Sequence, residues 1–252
     1  MLGTAGILTA NLAYTNNKIE TMDKKEQPRP KVIFFDVNET LLDLTPLKTS
    51  VAQALNGRQE LVSLWFTSLL QYSLVATVGG HYRDFSEIGA ATLRMVAKNQ
   101  DIDLTEEKAK ETLKPILSLP AYPDVPDALR GLKEAGFRLV TLTNSSNKAV
   151  ENQMINSGLK EYFDELLSVE DIAMYKPHRK VYEWASEKMK ITPGESMLSA
   201  AHGWDVAGAN WAGWQTAFIS RPGQQLYPLA PIPEIVAPTL TEVAERLLTL
   251  KK

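Results

Sequence analysis

KVIFFDVNETLLDL, residues 31–44, is the stretch of the sequence that decides the fold. Its β-branched and aromatic run, Val32–Phe35, is typical of a strand that is buried on both faces of a sheet. The run ends at Asp36, and open α/β sheets bind their ligands at the carboxyl ends of their strands. Asp36 could equally cap a following helix, so a functional interpretation requires partners from the rest of the chain.

The composition is that of an ordinary globular protein. The 252 residues are enough for a substantial core, with 44% hydrophobic and 23% charged residues. A formal net charge of −3 without a basic stripe argues against a nucleic-acid partner. The absence of cysteine excludes a disulfide, a thiolate nucleophile and Cys-ligated zinc. We find no apolar stretch long enough to cross a bilayer, and therefore expect no membrane partner.

Residues 1–30 differ from the sequence that follows them. A small-residue, mildly apolar stretch leads into a polar segment that ends Gln-Pro-Arg-Pro. We expect a flexible leader outside the fold and a cytoplasmic protein. The alternative is the remnant of an export signal, which would place the protein in the periplasm, although the basic start of such a signal is missing.

The segment after the first strand has the pattern of helices. Residues 47–120 carry apolar side chains at helical spacing in Glu60–Val78, and a capped helix begins at Thr105. No strand pattern interrupts this segment. We therefore predict a helical cap domain at residues 47–120, inserted into a core domain formed by residues 31–46 and 121–252.

From Tyr122 onward, strand patterns alternate with helix patterns. Such alternation predicts a parallel sheet with helices on both faces. The further strands are expected at residues 137–142, about 165–168, 196–200 and 215–219, the last of these being the final core strand. Together the segments predict an α/β protein with a Rossmann-like core, a parallel sheet and an inserted helical cap.

Polar side chains at four positions follow the order of a known family's motifs. These positions are Asp36, Thr143-Asn144, Lys176 and Asp205. The order resembles the haloacid dehalogenase (HAD) superfamily, with a nucleophilic Asp, a Ser or Thr, a Lys and a late acidic group. The resemblance covers about residues 31–222.

Three longer segments are similar to the L-2-haloacid dehalogenase branch of that superfamily. They are LTNSS, YKPHRKVYE and HGWDVAGANWAGWQTAFISR. In that branch the Lys is followed by Pro and, six positions on, by Tyr, which here are Lys176 and Tyr182. The late motif carries Trp-Asp before a small-residue helix, here Trp204-Asp205.

The resemblance implies hydrolytic dehalogenation of short 2-haloalkanoic acids, with preference for the L enantiomer and without metal or organic cofactor. Asp36 would displace halide from C2 to give an ester, which water hydrolyses to a 2-hydroxy acid. The expected partner is thus a small-molecule 2-haloacid. Dimerisation of the chain is a further expectation from the family.

Two alternatives of other classes stay open. HAD phosphatases carry a second Asp two positions after the nucleophile, which protonates the leaving alkoxide. Here that position is Asn38, which cannot act as an acid, whereas a halide leaves as a stable anion without a proton. A magnesium-dependent phosphatase or phosphonate hydrolase is therefore the weaker interpretation. The other alternative is a binding protein that has lost its chemistry.

The remaining motif residues have expected supporting roles. The groups that would bind the substrate carboxylate are the backbone amides of Val37 and Asn38 and the side chains of Thr143 and Asn144. Lys176 would hold Asp36 ionised beside that second carboxylate. Asp205 would orient Lys176, or bind magnesium in a phosphatase. Tyr182 is expected to be a supporting hydrogen-bond donor or a buried core residue.

The sequence departs from the pattern of the dehalogenase branch at three places. The pattern has Tyr-Gly-Thr after the nucleophile, where this chain has Asn38-Glu39-Thr40. A halide-binding Arg after the cap Trp is replaced by Phe66, and an Asn before the late Asp is replaced by His202. Aromatic ring edges and one amide would then hold the halide in a pocket formed by Phe66, Phe85, Trp204 and Asn144.

Two of these departures are paired in position. Glu39 lies three residues after Asp36 and His202 three before Asp205, so both should face one crevice. A carboxylate that holds an imidazole forms a general base for the water that hydrolyses the ester. The alternatives are that Glu39 caps a helix and that His202 is a loop residue whose hydrogen bonds are purely structural. A metal site built from Asp36, Glu39, His202 and Asp205 is a third possibility. The ammonium group of Lys176, expected in the same place, argues against it.

Overall fold

The computed structural model describes residues 28–251. The predicted leader, residues 1–30, lies outside the described residues apart from its last three.

The described strands form one six-stranded parallel sheet in the order β3-β2-β1-β4-β5-β6. Their bounds are β1 Val32–Phe35, β2 Arg138–Thr143, β3 Glu165–Ser168, β4 Ser196–Ala200, β5 Gln215–Ile219 and β6 Ile235–Ala237. The chain order reverses at β1, which lies between β2 and β4. The carboxyl end of β1 is therefore the switch point of the sheet, where α/β proteins bind ligands.

The predicted α/β class and the predicted strands are confirmed to within a residue. The expectation that residues 215–219 form the last strand was wrong, because β6 follows. It has only three residues and comes after a proline-rich segment, so no alternation indicated it.

Nine α-helices lie within the described residues, between the strands and after the last of them. They are α1 Thr45–Ala54, α2 Glu60–Val78, α3 Phe85–Lys98, α4 Glu106–Leu113, α5 Val125–Glu134, α6 Asn147–Asn156, α7 Arg179–Met189, α8 Gly203–Trp211 and α9 Leu240–Leu248. Helices α1 and α9 were not predicted. The first four follow one another without a strand, as expected, while their separation as a cap domain stays a prediction.

The core explains why β1 consists of large apolar residues. All four side chains of β1 are fully buried. Phe34 stacks on Trp214 with ring centroids 4.4 Å apart, and Phe35 meets Phe163 edge-on at 5.9 Å. The two faces of the strand thus bury their side chains independently, as its continuous apolar run indicated.

The helical block packs closely around a glycine of α3. The Trp65 indole N–H of α2 donates to the Gly89 carbonyl at 2.9 Å. A Cβ at Gly89 would lie 3.0 Å from Leu113 of α4, so a larger residue would require the Leu113 side chain to shift. This contact fixes α2, which carries Phe66, against its neighbours.

Helix α2 corrects one sequence expectation. Among the described helices it is the one that is long and apolar enough to cross a membrane by length and composition, so the statement that no such stretch exists was wrong. A mostly buried core helix meets the same test; α2 buries Leu61, Trp65 and Leu69, while 28% of its apolar window is buried. By itself the helix is weak support for a membrane span.

Candidate active site

Asp36 stands at the carboxyl end of the central strand and is 5% exposed. Its Oδ1 accepts a hydrogen bond from Lys176 Nζ at 2.9 Å, and its Oδ2 accepts one from the Thr40 hydroxyl at 2.7 Å. The chain after it forms a turn, and α1 begins only at Thr45. Asp36 therefore does not cap a helix, and its carboxylate is held at the switch point of the sheet.

Lys176 is fully buried and uses all three donors of its ammonium group. Nζ donates to Asp36 Oδ1 at 2.9 Å, to Asp205 Oδ2 at 2.6 Å and to the Leu142 carbonyl at 2.7 Å. Burial works to lower the pKa of Lys176, but Asp205 and Asp36 outweigh it and raise that pKa above its ordinary value. The site thus holds a permanent cation between two carboxylates.

The same contacts keep Asp36 ionised. Burial works to raise the pKa of its carboxyl group, but Lys176, then His202 and the Thr40 hydroxyl, outweigh burial and hold that pKa well below its usual range. An ionised, largely desolvated carboxylate is the form that attacks carbon.

Tyr182 reaches the site through Asp205. Its hydroxyl donates to Asp205 Oδ1 at 2.7 Å, and both residues are fully buried. Gly208 of α8 permits this approach, since a Cβ there would lie 2.6 Å from the tyrosine oxygen. Tyr182 thus orients Asp205, which in turn contacts Lys176, and its hydroxyl points to Asp205 rather than to Asp36.

His202 lies between two carboxylates and is 5% exposed. Its Nδ1 is 3.2 Å from Asp36 Oδ2, and its Nε2 is 3.0 Å from Glu39 Oε2. The ring is flanked by Trp204 and Phe66, at centroid distances of 5.3 and 6.2 Å. The structure therefore brings Glu39 and His202 together, and adds a contact to the nucleophile that the sequence did not indicate.

Glu39 is held in a strained backbone conformation. Its φ of 60° is in the left-handed region that favours glycine, the residue that the family pattern has there. Its second oxygen, Oε1, is paired with Lys48 of α1, and Gln224 Nε2 donates to Oε2 at 3.3 Å. These contacts aim the carboxylate at His202 and exclude the helix-capping interpretation.

The charges around the Glu39–His202 pair shift the pKa values of both residues. Burial works to lower the pKa of His202, but its hydrogen bonds with Asp36 and Glu39 raise it to about 9. Burial likewise opposes ionisation of Glu39, yet His202 and Lys48 lower the pKa of that carboxyl group.

Two residues that the sequence analysis missed fix the second oxygen of Asp36. The Thr40 hydroxyl, which donates to Asp36, itself accepts from the Ala201 N–H at 2.9 Å. Arg221 donates to the Thr40 carbonyl at 3.1 Å and to Asp124 Oδ1 at 2.9 Å. Thr40 matches the Thr of the family pattern, and Arg221 ends the last motif segment, so the motifs contained a signal for both.

Asn38 is anchored by Ser145 of the LTNSS segment and by Gln153, which carried no sequence signal. Its Nδ2 donates to Ser145 Oγ at 3.1 Å, and its Oδ1 accepts from Gln153 Nε2 at 2.9 Å. Both polar atoms of the Asn38 amide are thus engaged by neighbouring side chains.

The residues predicted to bind the substrate carboxylate lie on two neighbouring loops. Thr143 ends β2 beside β1, and its hydroxyl accepts from the Ser145 N–H at 3.1 Å. Asn144 Oδ1 accepts from the Lys176 N–H at 3.1 Å, while the Val37 side chain is buried in the core. Their binding of a carboxylate stays a prediction.

Two cavities flank Phe66. The apolar pocket is lined by residues that include Asn38, Leu47, Phe66, Phe85 and Ser145. The polar cleft is lined by residues that include Glu39, Lys48, Phe66, His202, Trp204 and Gln224.

The predicted halide pocket is therefore divided. Phe85 lines the apolar pocket and Trp204 the polar cleft, whereas Phe66 lines both and Asn144 lines neither of these two cavities. Phe85 instead packs against Tyr175 at a centroid distance of 5.7 Å.

The contacts of Lys176 bear on the metal alternative. Its ammonium lies between Asp36 Oδ1 and Asp205 Oδ2, the two oxygens that would have to share an ion. No group of three or more acidic or histidine side chains in the described residues has the arrangement of a metal site.

Comparison with known proteins gives one consistent family. The model of the haloacid dehalogenase-like hydrolases matches residues 30–213. (S)-2-haloacid dehalogenase 1 of Pseudomonas sp. (strain CBS-3) is 31% identical, over 86% of this chain and 96% of that protein. Haloacetate dehalogenase H-2 of Moraxella sp. (strain B) is 29% identical, over 84% of this chain and 96% of that protein.

A solved structure shares the fold. L-2-haloacid dehalogenase from Xanthobacter autotrophicus superposes with a TM-score of 0.82, over 88% of this chain and 100% of that chain. The two sequences are 23% identical, so this likeness concerns the fold alone.

Proposed function

The chain belongs to the haloacid dehalogenase-like hydrolase family, and we propose that it hydrolyses short (S)-2-haloalkanoic acids to 2-hydroxy acids. The names of the similar proteins, a 2-haloacid and a haloacetate dehalogenase, support this substrate class. The reaction needs a nucleophile, a permanent positive charge and a base, and each has a candidate at the end of β1.

The observation that carries the proposal is the Asp36–Lys176 pair. Asp36 is ionised and largely shielded from water, and Lys176 offsets its charge when the substrate carboxylate enters. The Asp36 carboxylate displaces halide from C2, forming a C–O bond as the C–halogen bond breaks, and the electron pair leaves with the halide. Water then attacks the ester carbonyl and returns the carboxylate.

Asn38 favours dehalogenation over phosphate-ester hydrolysis. An alkoxide leaving group requires a proton from an acid at this position, and the Asn38 amide has none to transfer. Its two hydrogen bonds with Ser145 and Gln153 also keep it in place. A halide leaving group needs no acid, so nothing required for dehalogenation is lost.

Short substrates fit the position of Phe66. It lines both cavities, and its ring lies 6.2 Å from that of His202, so it takes up space beside the site that a long alkyl chain would need. We therefore expect chloroacetate, bromoacetate and (S)-2-chloropropionate to be better substrates than 2-bromohexanoate. Faster turnover of the long-chain acid would contradict this part of the proposal.

Halide release tests the function directly. We expect chloride or bromide from the haloacetates with the wild-type protein and none with Asp36→Asn. p-Nitrophenyl phosphate with magnesium is the competing assay, and phosphate release without halide release would favour the phosphatase.

The Glu39–His202 pair has its own test within this reaction. His202→Ala removes the proposed base for ester hydrolysis but keeps the nucleophile, so we expect one equivalent of halide and then a trapped ester on Asp36. Intact-protein mass spectrometry detects the added acid. A full steady-state rate in this variant would remove the pair from the mechanism.

The arrangement of the chain is part of the proposal. Residues 47–120 would act as the cap that closes over the strand ends, and two copies of the chain would form a homodimer. Light scattering coupled to gel filtration measures the second point, with twice the chain mass as the expected result.

A further inference from the structure

His202 has an acceptor at each of its two ring nitrogens. Nδ1 faces Asp36 Oδ2 at 3.2 Å and Nε2 faces Glu39 Oε2 at 3.0 Å, in a position that is 5% exposed. A neutral imidazole carries one N–H, so its other nitrogen would point a lone pair at one of the two carboxylates. An imidazolium donates a hydrogen bond to both. The geometry of the free enzyme therefore fits the charged ring, in agreement with a pKa raised to about 9.

A charged ring cannot accept a proton from water. The proposed function nevertheless requires a base once the ester exists, because water alone attacks an ester slowly. The same residue must therefore be charged before the halide leaves and neutral afterwards.

We propose that formation of the aspartyl ester itself releases the proton of His202, so that the base becomes available only after the halide has left. This inference rests on the proposed function. The ester turns Asp36 from an anion into a neutral group whose oxygens are weaker acceptors, so the contact that requires the second N–H is lost.

The steps balance in atoms and charge. Asp36 forms a bond to C2 and halide leaves with the bonding electrons, while His202 gives one proton to solvent. Water then adds its oxygen to the Asp36 carbonyl carbon, one water proton goes to His202, and the 2-hydroxy acid leaves with the other. The site returns to its starting state with one proton and one halide released.

Among the groups around His202, Asp36 is the one whose charge changes when the ester forms. Glu39 faces it from the turn after β1 and stays paired with Lys48 of α1 throughout. Lys176 and Asp205 act on it through Asp36, because Lys176 Nζ binds Asp36 Oδ1 at 2.9 Å and Asp205 Oδ2 at 2.6 Å. The remaining faces are the rings of Phe66 and Trp204, which carry no charge. The polar cleft beside Glu39 gives the released proton a route to solvent.

An equilibrium measurement tests the inference without turnover. Asp36→Asn replaces the carboxylate by a neutral group of the same shape, as the ester does. With ¹⁵N-labelled histidine, the sequence offers only three imidazole rings, those of His81, His178 and His202, and His202→Asn identifies the signals of the third. We expect the proton affinity of His202 to fall more than tenfold in Asp36→Asn.

Controls separate this effect from a general change of charge. Asp205→Asn removes a carboxylate that does not touch the ring, and should shift His202 much less. The signals of His81 and His178 report whether each variant is folded, and Asp36→Ala replaces Asp36→Asn if the latter does not fold. An unchanged proton affinity of His202 in the folded Asp36 variant would overturn the inference.

Halide release by the wild-type protein keeps the two proposals distinguishable. Release of halide together with an unchanged His202 would remove the inference and leave the function. Absence of halide release from every 2-haloacid would remove the function, whatever His202 does, and with it the inference.

Discussion

The two oxygens of Asp36 lie in opposite surroundings. Oδ1 faces the lysine side, which comprises Lys176, Asp205 and Tyr182, all fully buried. Oδ2 faces the histidine side, His202, Glu39 and Lys48, which borders the polar cleft and ends in a lysine that is 47% exposed.

The difference separates two tasks that the reaction imposes on one carboxylate. The lysine side has a fixed charge, because its ammonium group uses every donor and lies away from water. The histidine side can exchange a proton with solvent, because a ring that titrates is linked to the cleft. We infer that the first side serves halide displacement and the second serves ester hydrolysis.

Removing the carboxylate that both sides share has the largest expected effect. Asp36→Asn should lower halide release by at least about four orders of magnitude, since the nucleophile is gone. Chloride release from chloroacetate measures it. Asp43→Asn, on the same loop, is the control and should stay within about twofold of wild type. Residual activity close to wild type in Asp36→Asn would dismiss Asp36 as the nucleophile.

Breaking the lysine side should affect both activity and stability. Lys176→Met leaves Asp36 and Asp205 buried without a cation, which costs about 3–5 kcal/mol in the free energy of unfolding. Halide release should fall by about 10²-fold or more, because Asp36 is no longer held ionised. Urea unfolding and initial rates measure the two effects. Lys180→Met, exposed on α7, is the matched control, and equal stability of the two variants would contradict the account.

The two sides also differ in how far the sequence revealed them. Asp36, Lys176 and Asp205 lie at strand ends, and buried parallel strands have a strong sequence pattern, so the fold and the lysine side were predicted. The Glu39–His202 pair followed from two matched departures. The contact of His202 with Asp36 did not, since it joins side chains 166 residues apart in the chain.

Other residues were missed for definite physical reasons. Lys48 has the pattern of an exposed helix lysine, and only the position of α1 over the strand end gives it a partner. Arg221 acts through the backbone carbonyl of Thr40, a contact that no side-chain pattern indicates. Gln153 reaches Asn38 from a helix 115 residues later in the chain, beyond any local signal.

The histidine side predicts a specific pH dependence of stability. The pKa of His202 is raised from 6.5 to about 9, so its contribution is complete below about pH 6.5 and is lost as the pH rises through 9. Between these limits the wild type should lose up to about 3 kcal/mol of its free energy of unfolding. Urea unfolding at a series of pH values measures this loss.

Two histidine variants make that prediction selective. His202→Asn introduces the residue of the family pattern and should abolish the loss between pH 6.5 and 9. His81→Asn, at an exposed position, should retain it. The same pH dependence in both variants would show that His202 is not the group responsible.

The outer end of the histidine side should have the smallest effect. Lys48 helps to lower the pKa of Glu39, so Lys48→Met should raise it and move the acid limb of the rate profile to higher pH. Because Lys48 is half exposed and its charge is screened, we expect less than a tenfold loss of kcat at neutral pH. Lys108→Met is the control. An acid limb that does not move would exclude Lys48 from this group.

The origin of the oxygen in the product tests the central claim most directly. A single turnover of bromoacetate is run in ¹⁸O-water with enzyme in excess, and the peptide containing Asp36 and the glycolate are analysed by mass spectrometry. We expect heavy oxygen in the Asp36 carboxylate and none in the new hydroxyl group. Heavy oxygen in the glycolate hydroxyl, with an unlabelled Asp36, would contradict it.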